Sequence, residues 1–144
     1  MSLRLVAILI LVLSVIGAVL AISEGLPAEF GGRGDPDNVA GEFLTRGTAM
    51  SPPLVPMIVL AALLAISLSR AWWGTLALIG MGIVGVLFAV GGLGEPNNPA
   101  GSDLPQWVHL TIKVLGVGLS VLLVVLVLAE IVLRLKLGRP RDAG

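Results

Sequence analysis

The stretch "WWGTLALIGMGIVGVLFAV", residues 72 to 90, contains no charged side chain. A helix needs about 20 apolar residues to cross the roughly 30 Å of hydrocarbon in a bilayer. Backbone N–H and C=O groups in lipid must be hydrogen-bonded within their own segment, which a helix achieves and an isolated strand does not. The stretch therefore predicts a membrane-spanning helix, and its neighbours along the chain extend the same pattern.

Three further apolar runs approach this length. They are Leu3–Ile22, Leu54–Ser69 and a run from about Trp107 to Leu133, of which the part from Val114 to Ala129 is uninterrupted. The first run also has the basic start of a signal peptide, but it is longer than the roughly 7–15 apolar residues usual for one, which favours its retention. The predicted fold class is an all-α membrane protein, with four transmembrane helices in a bundle.

The composition supports a membrane protein. The chain has 144 residues, 56% of them hydrophobic and 12% charged, a net charge of zero and a mean hydropathy of +1.03. Soluble domains carry about 25% charged residues, so this composition argues against a soluble domain. Without cysteine the chain has no disulfide and no thiolate site. The abundance of Ala, Val, Leu and Gly is typical of a bacterial inner-membrane protein.

The charges predict an orientation. If four helices span, one side carries all of the following basic residues: Arg4, Arg70, Arg134, Lys136, Arg139 and Arg141. In the two long connections, residues 23–53 and 91–106, the charged residues are mostly acidic instead. Because basic loops stay in the cytoplasm, we expect both termini there and both long connections outside.

One polar motif occurs twice, as "GRGDPDNVAGEFL" at residues 32–44 and "GLGEPNNPAGSDL" at 92–104, with seven of thirteen positions identical. Each copy lies between two apolar runs, which predicts a tandem duplication of a two-helix unit. Residues 1–70 would form the first repeat and residues 71–136 the second, as parallel repeats about an axis along the membrane normal. Residues 137–144 would form a basic cytoplasmic tail.

The repeated motif has two interpretations. In the first, its Gly and Pro residues form a turn, and Asn38 and Asn98 cap the short helices that follow. In the second, oxygen ligands from both copies converge on a partner, a polar ligand or a hard cation such as Ca²⁺. The residues concerned are Asp35, Asp37, Asn38, Glu95, Asn97 and Asn98. We favour the turn and cap, and we predict no metal site and no cofactor.

The last apolar run carries ionisable residues near both of its ends. His109 and Lys113 are one turn apart on the same helix face, where they could line an outer vestibule for an anion or a proton. The simpler interpretation is that Lys113 reaches outward toward Glu95 or Asp103 to anchor the helix at the interface. At the other end, Glu130 and Arg134 have the spacing of an ion pair on one helix face.

No catalytic site can be assembled from this sequence, so we expect no enzyme. The segment "GMGIVG" at residues 80–85 has dinucleotide-binding spacing, but it lies inside an apolar helix without a preceding strand. Its glycines fit close helix packing better.

The favoured function is a non-enzymatic structural or accessory subunit that docks a partner, or a second copy of itself, through the duplicated outer loops. The alternative is a small transporter or channel for an ion or a small polar solute. The expected partners are the lipid bilayer and another membrane protein or a homo-oligomer, and no nucleic acid. Polar groups facing inward at membrane depth would favour transport. The sequence offers few such residues, Ser14 and Ser120, and this scarcity favours the accessory role.

Overall fold

The computed structural model describes residues 1–69, 71–97, 99 and 101–137. Its elements in chain order are helix α1 (Leu3–Ser23), a 3-10 turn (Pro36–Asn38), and helices α2 (Val39–Glu42), α3 (Leu54–Ser67), α4 (Trp72–Gly94) and α5 (Gln106–Leu137). The described part of the chain is therefore all-helical, as predicted. The predictions for the following positions lie outside the described residues: Arg70, Asn98, Arg139, Arg141 and nearly all of the tail 137–144.

Three helices of the described chain are long and apolar enough to cross a membrane, namely α1, α4 and α5 over Gln106–Lys136. α3 has only 14 residues, or about 21 Å at 1.5 Å per residue, which is less than the hydrocarbon thickness. A tight turn ends it, since the amides of Leu68 and Ser69 bond carbonyls three residues back. The membrane class is supported, but neither four complete spans nor the tandem repeat is confirmed.

Four helices, α1, α3, α4 and α5, contact one another in a cyclic order. α4 packs against α3 and α5, and α1 packs against α5 and α3. Within the described residues, the backbones of α1 and α4 do not approach each other closely, and neither do those of α3 and α5. One buried apolar cluster joins all four helices and includes Ile10, Leu60, Met81 and Leu123.

The glycines of α4 allow this close packing, as the sequence predicts. A Cβ at Gly80 would lie 3.0 Å from the side chain of Leu63 in α3. A Cβ at Gly85 would lie 3.0 Å from Val124 in α5. Both distances are tighter than ordinary van der Waals contact, so the missing side chains let α4 approach both neighbours.

The chain before α3 is not helical, and it packs along α1. We call residues 45–53 the inserted segment. Its Thr48 and Ser51 exchange backbone hydrogen bonds of 2.9 and 3.3 Å, and the Ala49 amide donates to the Leu26 carbonyl at 3.3 Å. These bonds satisfy part of the segment's own backbone.

The inserted segment extends well below the end of α1. The Met50 carbonyl packs onto Gly17, where a Cβ would collide with that oxygen. Gly17 lies six residues before Ser23, the last residue of α1, a distance of about 9 Å along the helix. The sequence predicts that residues 23–53 form an outer loop. The structure instead places the inserted segment of this connection beside the apolar length of α1.

Candidate functional site

A cavity of about 300 Å³ lies between α1, the inserted segment, α4 and α5. Small residues leave this space open, since a Cβ at Gly91 or at Gly116 would meet no atom within 4 Å. Both glycines line the cavity. Small-molecule sites in proteins typically measure roughly 300–1,000 Å³, so this cavity has room for a small ligand.

The cavity lining is polar at one end and mainly apolar at the other. The polar side chains at the end nearest the connections are Arg46, Thr48, Glu95, His109 and Lys113. The deeper lining is formed by Ile10, Leu13, Leu87 and Phe88, with the hydroxyls of Ser14 and Ser120 among them. Since His109 and Ser120 are 11 residues apart in α5, the lining extends over about 16 Å of that helix.

His109 is buried at the polar end, with only 4% of its surface exposed. Its Nε2 lies 2.7 Å from the Ser102 hydroxyl oxygen, which also accepts a hydrogen bond from the Leu104 amide at 3.1 Å. Its Nδ1 is buried and has no hydrogen-bond partner in the described part of the chain. A buried polar atom without a partner costs free energy in the folded state.

Lys113 caps the carboxyl end of α4. Its ammonium donates to the Glu95 carbonyl at 2.6 Å, to Asn97 Oδ1 at 2.9 Å and to the Leu93 carbonyl at 3.5 Å. An ammonium has three donors, so these acceptors account for all of them. The predicted direction of Lys113 toward Glu95 is confirmed, although it bonds the backbone carbonyl rather than the carboxylate.

Glu95 joins the two long connections. Its carboxylate oxygens accept hydrogen bonds from the amides of Glu29 at 2.9 Å and Phe30 at 3.0 Å. Burial raises the pKa of the Glu95 carboxyl above its ordinary value of 4.5, with a smaller contribution from the charge of Glu29. The two amide hydrogen bonds and the Lys113 charge lower this pKa and so oppose the shift.

Asp35, which occupies the position of Glu95 in the first motif copy, has a different role. Asp35 Oδ1 accepts a hydrogen bond from the Asp37 amide at 2.9 Å and caps the 3-10 turn. Asn38 precedes α2 but makes no side-chain capping bond, so its predicted capping role is wrong. Asp35 lies three residues before Asn38, at the start of the 3-10 turn, and caps the first amide of that turn.

The structure therefore brings together only part of the predicted site. Glu95, His109 and Lys113 line the cavity, and Asn97 contacts Lys113. Asp35, Asp37 and Asn38 are exposed and are not part of its lining. Within the described residues, no three acidic or histidine side chains converge as a metal site would require.

The inserted segment, which contributes Thr48, Met50 and Ser51 to the cavity wall, was not predicted from the sequence. One sequence signal could have found it, because Pro52 and Pro53 precede an unusually short apolar run. A short or proline-interrupted hydrophobic segment is a useful indicator of a binding site in membrane carriers.

A second polar cluster lies at the opposite end of the molecule. Arg134 pairs with Glu130 at 3.1 Å, which confirms the predicted ion pair. The same guanidinium donates to the carbonyls of Ser67 at 2.9 Å and Ser69 at 3.1 Å. Arg134 therefore caps the carboxyl end of α3, just as Lys113 caps that of α4.

No protein-family model, curated protein sequence or solved structure matches the chain. The case for a function therefore depends on the geometry of the cavity and its lining.

Proposed function

We propose that this protein is a multipass membrane protein that binds a small solute in the cavity and carries it across part or all of the bilayer. The observation behind this proposal is a cavity with polar groups at one end, walled by non-helical chain alongside an apolar helix. Irregular backbone at membrane depth is tolerated where it is buried in protein or lines a cavity. In carriers, interrupted segments of this kind surround the substrate site.

This proposal favours transport over the accessory role. The accessory interpretation depended on the scarcity of inward-facing polar groups at membrane depth. Ser14 and Ser120 line the cavity, and His109 is in the same wall. A subunit that only docks a partner through its loops has no need of such a cavity, so the cavity supports solute binding.

The polar contacts also support the orientation inferred from charge. Arg134 of α5 bonds the end of α3 at Ser67 and Ser69, so these basic and polar groups share one end of the molecule. Lys136 follows on the same helix, and Arg4 lies in the first turn of α1. We propose that this end faces the cytoplasm of a bacterial cell, because basic residues near helix ends set orientation.

The test is a substitution in α5 that fills part of the cavity. Gly116→Leu places a side chain into open space in the cavity wall. The matched control is Gly118→Leu, which changes an exposed glycine two residues along the same helix, where a Cβ also meets no atom within 4 Å. Both variants replace a helical glycine by leucine, so they share the same change in helix propensity.

The measurement is thermal unfolding in lipid nanodiscs with hexanoate, hexan-1-ol, hexylammonium or glucose as the added probe. We expect at least one probe to raise the unfolding temperature of the parent and of Gly118→Leu but not of Gly116→Leu, because ligands stabilise the state they bind. Proteoliposome uptake of that probe should then be lost in Gly116→Leu alone. Equal responses of the two variants to every probe, with a stoichiometric membrane partner recovered on mild extraction, would favour the accessory role instead.

A further inference from the structure

The charged side chains in the cavity wall already have partners within the protein. Arg46 pairs with Glu42 at 3.5 Å and also donates to the Gly32 carbonyl. The Lys113 ammonium has its three acceptors at the end of α4. The Glu95 carboxylate accepts hydrogen bonds from two backbone amides of the first connection. A charged solute would leave water without gaining a free counter-charge here, and such a transfer costs free energy, so the wall favours an uncharged ligand.

Four consecutive amides of the inserted segment also have partners. Those of Thr48 and Ser51 donate to each other's carbonyls. That of Ala49 donates to the Leu26 carbonyl, and that of Met50 to the hydroxyl oxygen of Thr48. Successive backbone amides can bind an anion, but none of these four is free to do so. The larger contact surface for a ligand is therefore the apolar part of the lining.

One hydroxyl in the cavity wall differs from those of the other serines within helices. Ser23, Ser67 and Ser120 each donate to a carbonyl three or four residues earlier, at 2.7 to 2.8 Å, as a helical serine commonly does. Ser14 makes no hydrogen bond through its side chain within the described part of the chain. The residue is only 6% exposed, yet its oxygen keeps accessible surface, whereas His109 Nδ1 has almost none. Because Ser14 lines the cavity, its hydroxyl is available to a ligand there.

Ser14 lies near the middle of α1. The helix begins at Leu3 and ends at Ser23, so the residue is about 14–17 Å from either end at 1.5 Å per residue. In a spanning helix this position is close to the bilayer midplane, where a charged group is most costly. A ligand whose polar group reaches Ser14 is therefore favoured when that group is uncharged.

We propose that the cavity binds a small uncharged amphiphile, an aliphatic alcohol, whose hydroxyl forms a hydrogen bond with Ser14. Its aliphatic part lies against the apolar lining formed by Ile10, Leu13, Leu87 and Phe88. A hydroxyl both donates and accepts, so it pairs with the serine in either direction. The volume of about 300 Å³ restricts the ligand to a small molecule. This inference rests on the proposed function, because it specifies the ligand class of the same cavity.

The first test compares hexan-1-ol, hexanoate and hexylammonium, which share one tail, with glucose, which is uncharged but has no tail. At about pH 7 the carboxylate and the ammonium are both charged. Because hexan-1-ol also dissolves in the bilayer, cavity binding is measured as the rise in unfolding temperature of Gly118→Leu minus that of Gly116→Leu, in nanodiscs. We expect hexan-1-ol to reach half of its maximal effect at a concentration at least tenfold lower than either charged probe, and glucose to have no effect.

Tighter cavity binding of hexanoate, hexylammonium or glucose than of hexan-1-ol would overturn the inference of an uncharged aliphatic ligand and leave the solute-binding function intact. Absence of cavity binding by all four probes would contradict both.

A pH series with the same probes checks the charge dependence independently. Lowering the pH by one unit raises the uncharged fraction of hexanoate about tenfold while the pH is well above the carboxyl pKa. The half-maximal concentration of hexanoate should fall by about the same factor, and that of hexan-1-ol should stay constant. A cavity affinity for hexanoate that is independent of pH would mean that the carboxylate itself is bound, and it would overturn the inference.

The second test removes the hydroxyl that we assign to the ligand. Ser14→Ala deletes it, and the matched control Ser120→Ala deletes a cavity hydroxyl that already donates to the Gly116 carbonyl. We expect Ser14→Ala to weaken cavity binding of hexan-1-ol about fivefold and Ser120→Ala to change it less than about twofold, because only the first loses a neutral hydrogen bond to the ligand. Hexane, which has the tail without a polar group, should bind both variants like the parent.

An unchanged affinity of Ser14→Ala for hexan-1-ol, or an equal loss of affinity for hexane, would show that Ser14 gives the ligand no hydrogen bond. Equal weakening by Ser120→Ala would likewise overturn the assignment of Ser14. Unfolding temperatures of both variants without probe serve as the control for folding.

Discussion

At the scale of single residues, Glu95 shows how burial and hydrogen bonding compete at one carboxylate. Two amides of the first connection bind it, yet burial dominates and raises its pKa. A carboxyl whose pKa is higher in the folded state binds protons more tightly there than in the unfolded chain. Its contribution to stability is complete below pH 4.5 and is lost as pH rises through the raised pKa.

We therefore predict that the free energy of unfolding falls as pH rises above 4.5, and that Glu95→Gln makes this fall smaller because glutamine does not titrate. Thermal unfolding followed by circular dichroism over a pH series measures both proteins. Superimposable pH profiles of the parent and Glu95→Gln would contradict the assignment of this pH dependence to Glu95.

The same residue shows a limit of sequence reasoning. Asp35 and Glu95 occupy equivalent positions of the repeated motif, and the sequence treats them alike. Asp35 caps its own turn, a local interaction that spacing within the motif can suggest. Glu95 instead binds amides 65 and 66 residues away, and no pattern within the motif contains that information.

At the scale of elements, α5 caps two other helices, α4 through Lys113 and α3 through Arg134. The carbonyls at the end of a helix have no intrahelical partners, and cationic side chains stabilise them. Arg134 supports α3 with two hydrogen bonds while its Nε donates to Glu130. This fixed fork is a geometry that arginine provides and lysine does not.

We predict that Arg134→Met lowers the free energy of unfolding by about 2–3 kcal/mol, since it removes charge-assisted hydrogen bonds and leaves the partly buried Ser67 carbonyl unpaired. Arg134→Lys should cost about 1 kcal/mol, because a point charge keeps only part of the fork. Lys136→Met removes the same charge from an exposed position in the next half-turn and is the matched control. Chemical unfolding in mixed micelles measures all three, and equal losses for Arg134→Met and Lys136→Met would contradict the capping role.

The elements also show which parts of the fold the sequence could predict. Continuous apolar runs determine α1, α4 and α5, because hydropathy and length alone decide whether a helix can span. α3 begins at the predicted Leu54, directly after Pro52 and Pro53, and ends at Ser67, two residues before the predicted end, because the chain turns at Leu68 and Ser69. The packing of the inserted segment onto α1 depends on contact between Gly17 and Met50, which are far apart in sequence. Local periodicity does not encode such a contact, so the cavity could not be predicted either.

At the scale of the whole molecule, the ring of four helices and the inserted segment enclose a cavity beside helices that are otherwise apolar. The glycines that line it provide space, and the polar groups of the two connections are concentrated at one end. Outside the cavity, a buried apolar cluster that includes Leu60, Met81 and Leu123 joins α3, α4 and α5. The molecule thus combines a buried apolar cluster with a cavity that has polar groups at one end, which is what the proposed solute binding requires.

The most direct test of this account is the reactivity of single cysteines, since the natural chain has none. Ser14 lines the cavity, whereas its neighbour Val15 is 53% exposed on the outer surface of α1. We predict that Ser14→Cys in nanodiscs reacts with the water-soluble anion 2-sulfonatoethyl methanethiosulfonate and that Val15→Cys does not, because the reactive thiolate does not form in lipid. Adding Gly116→Leu should slow the reaction at position 14. An unreactive Ser14→Cys, or equal reaction at both positions, would contradict a solute-accessible cavity inside the membrane.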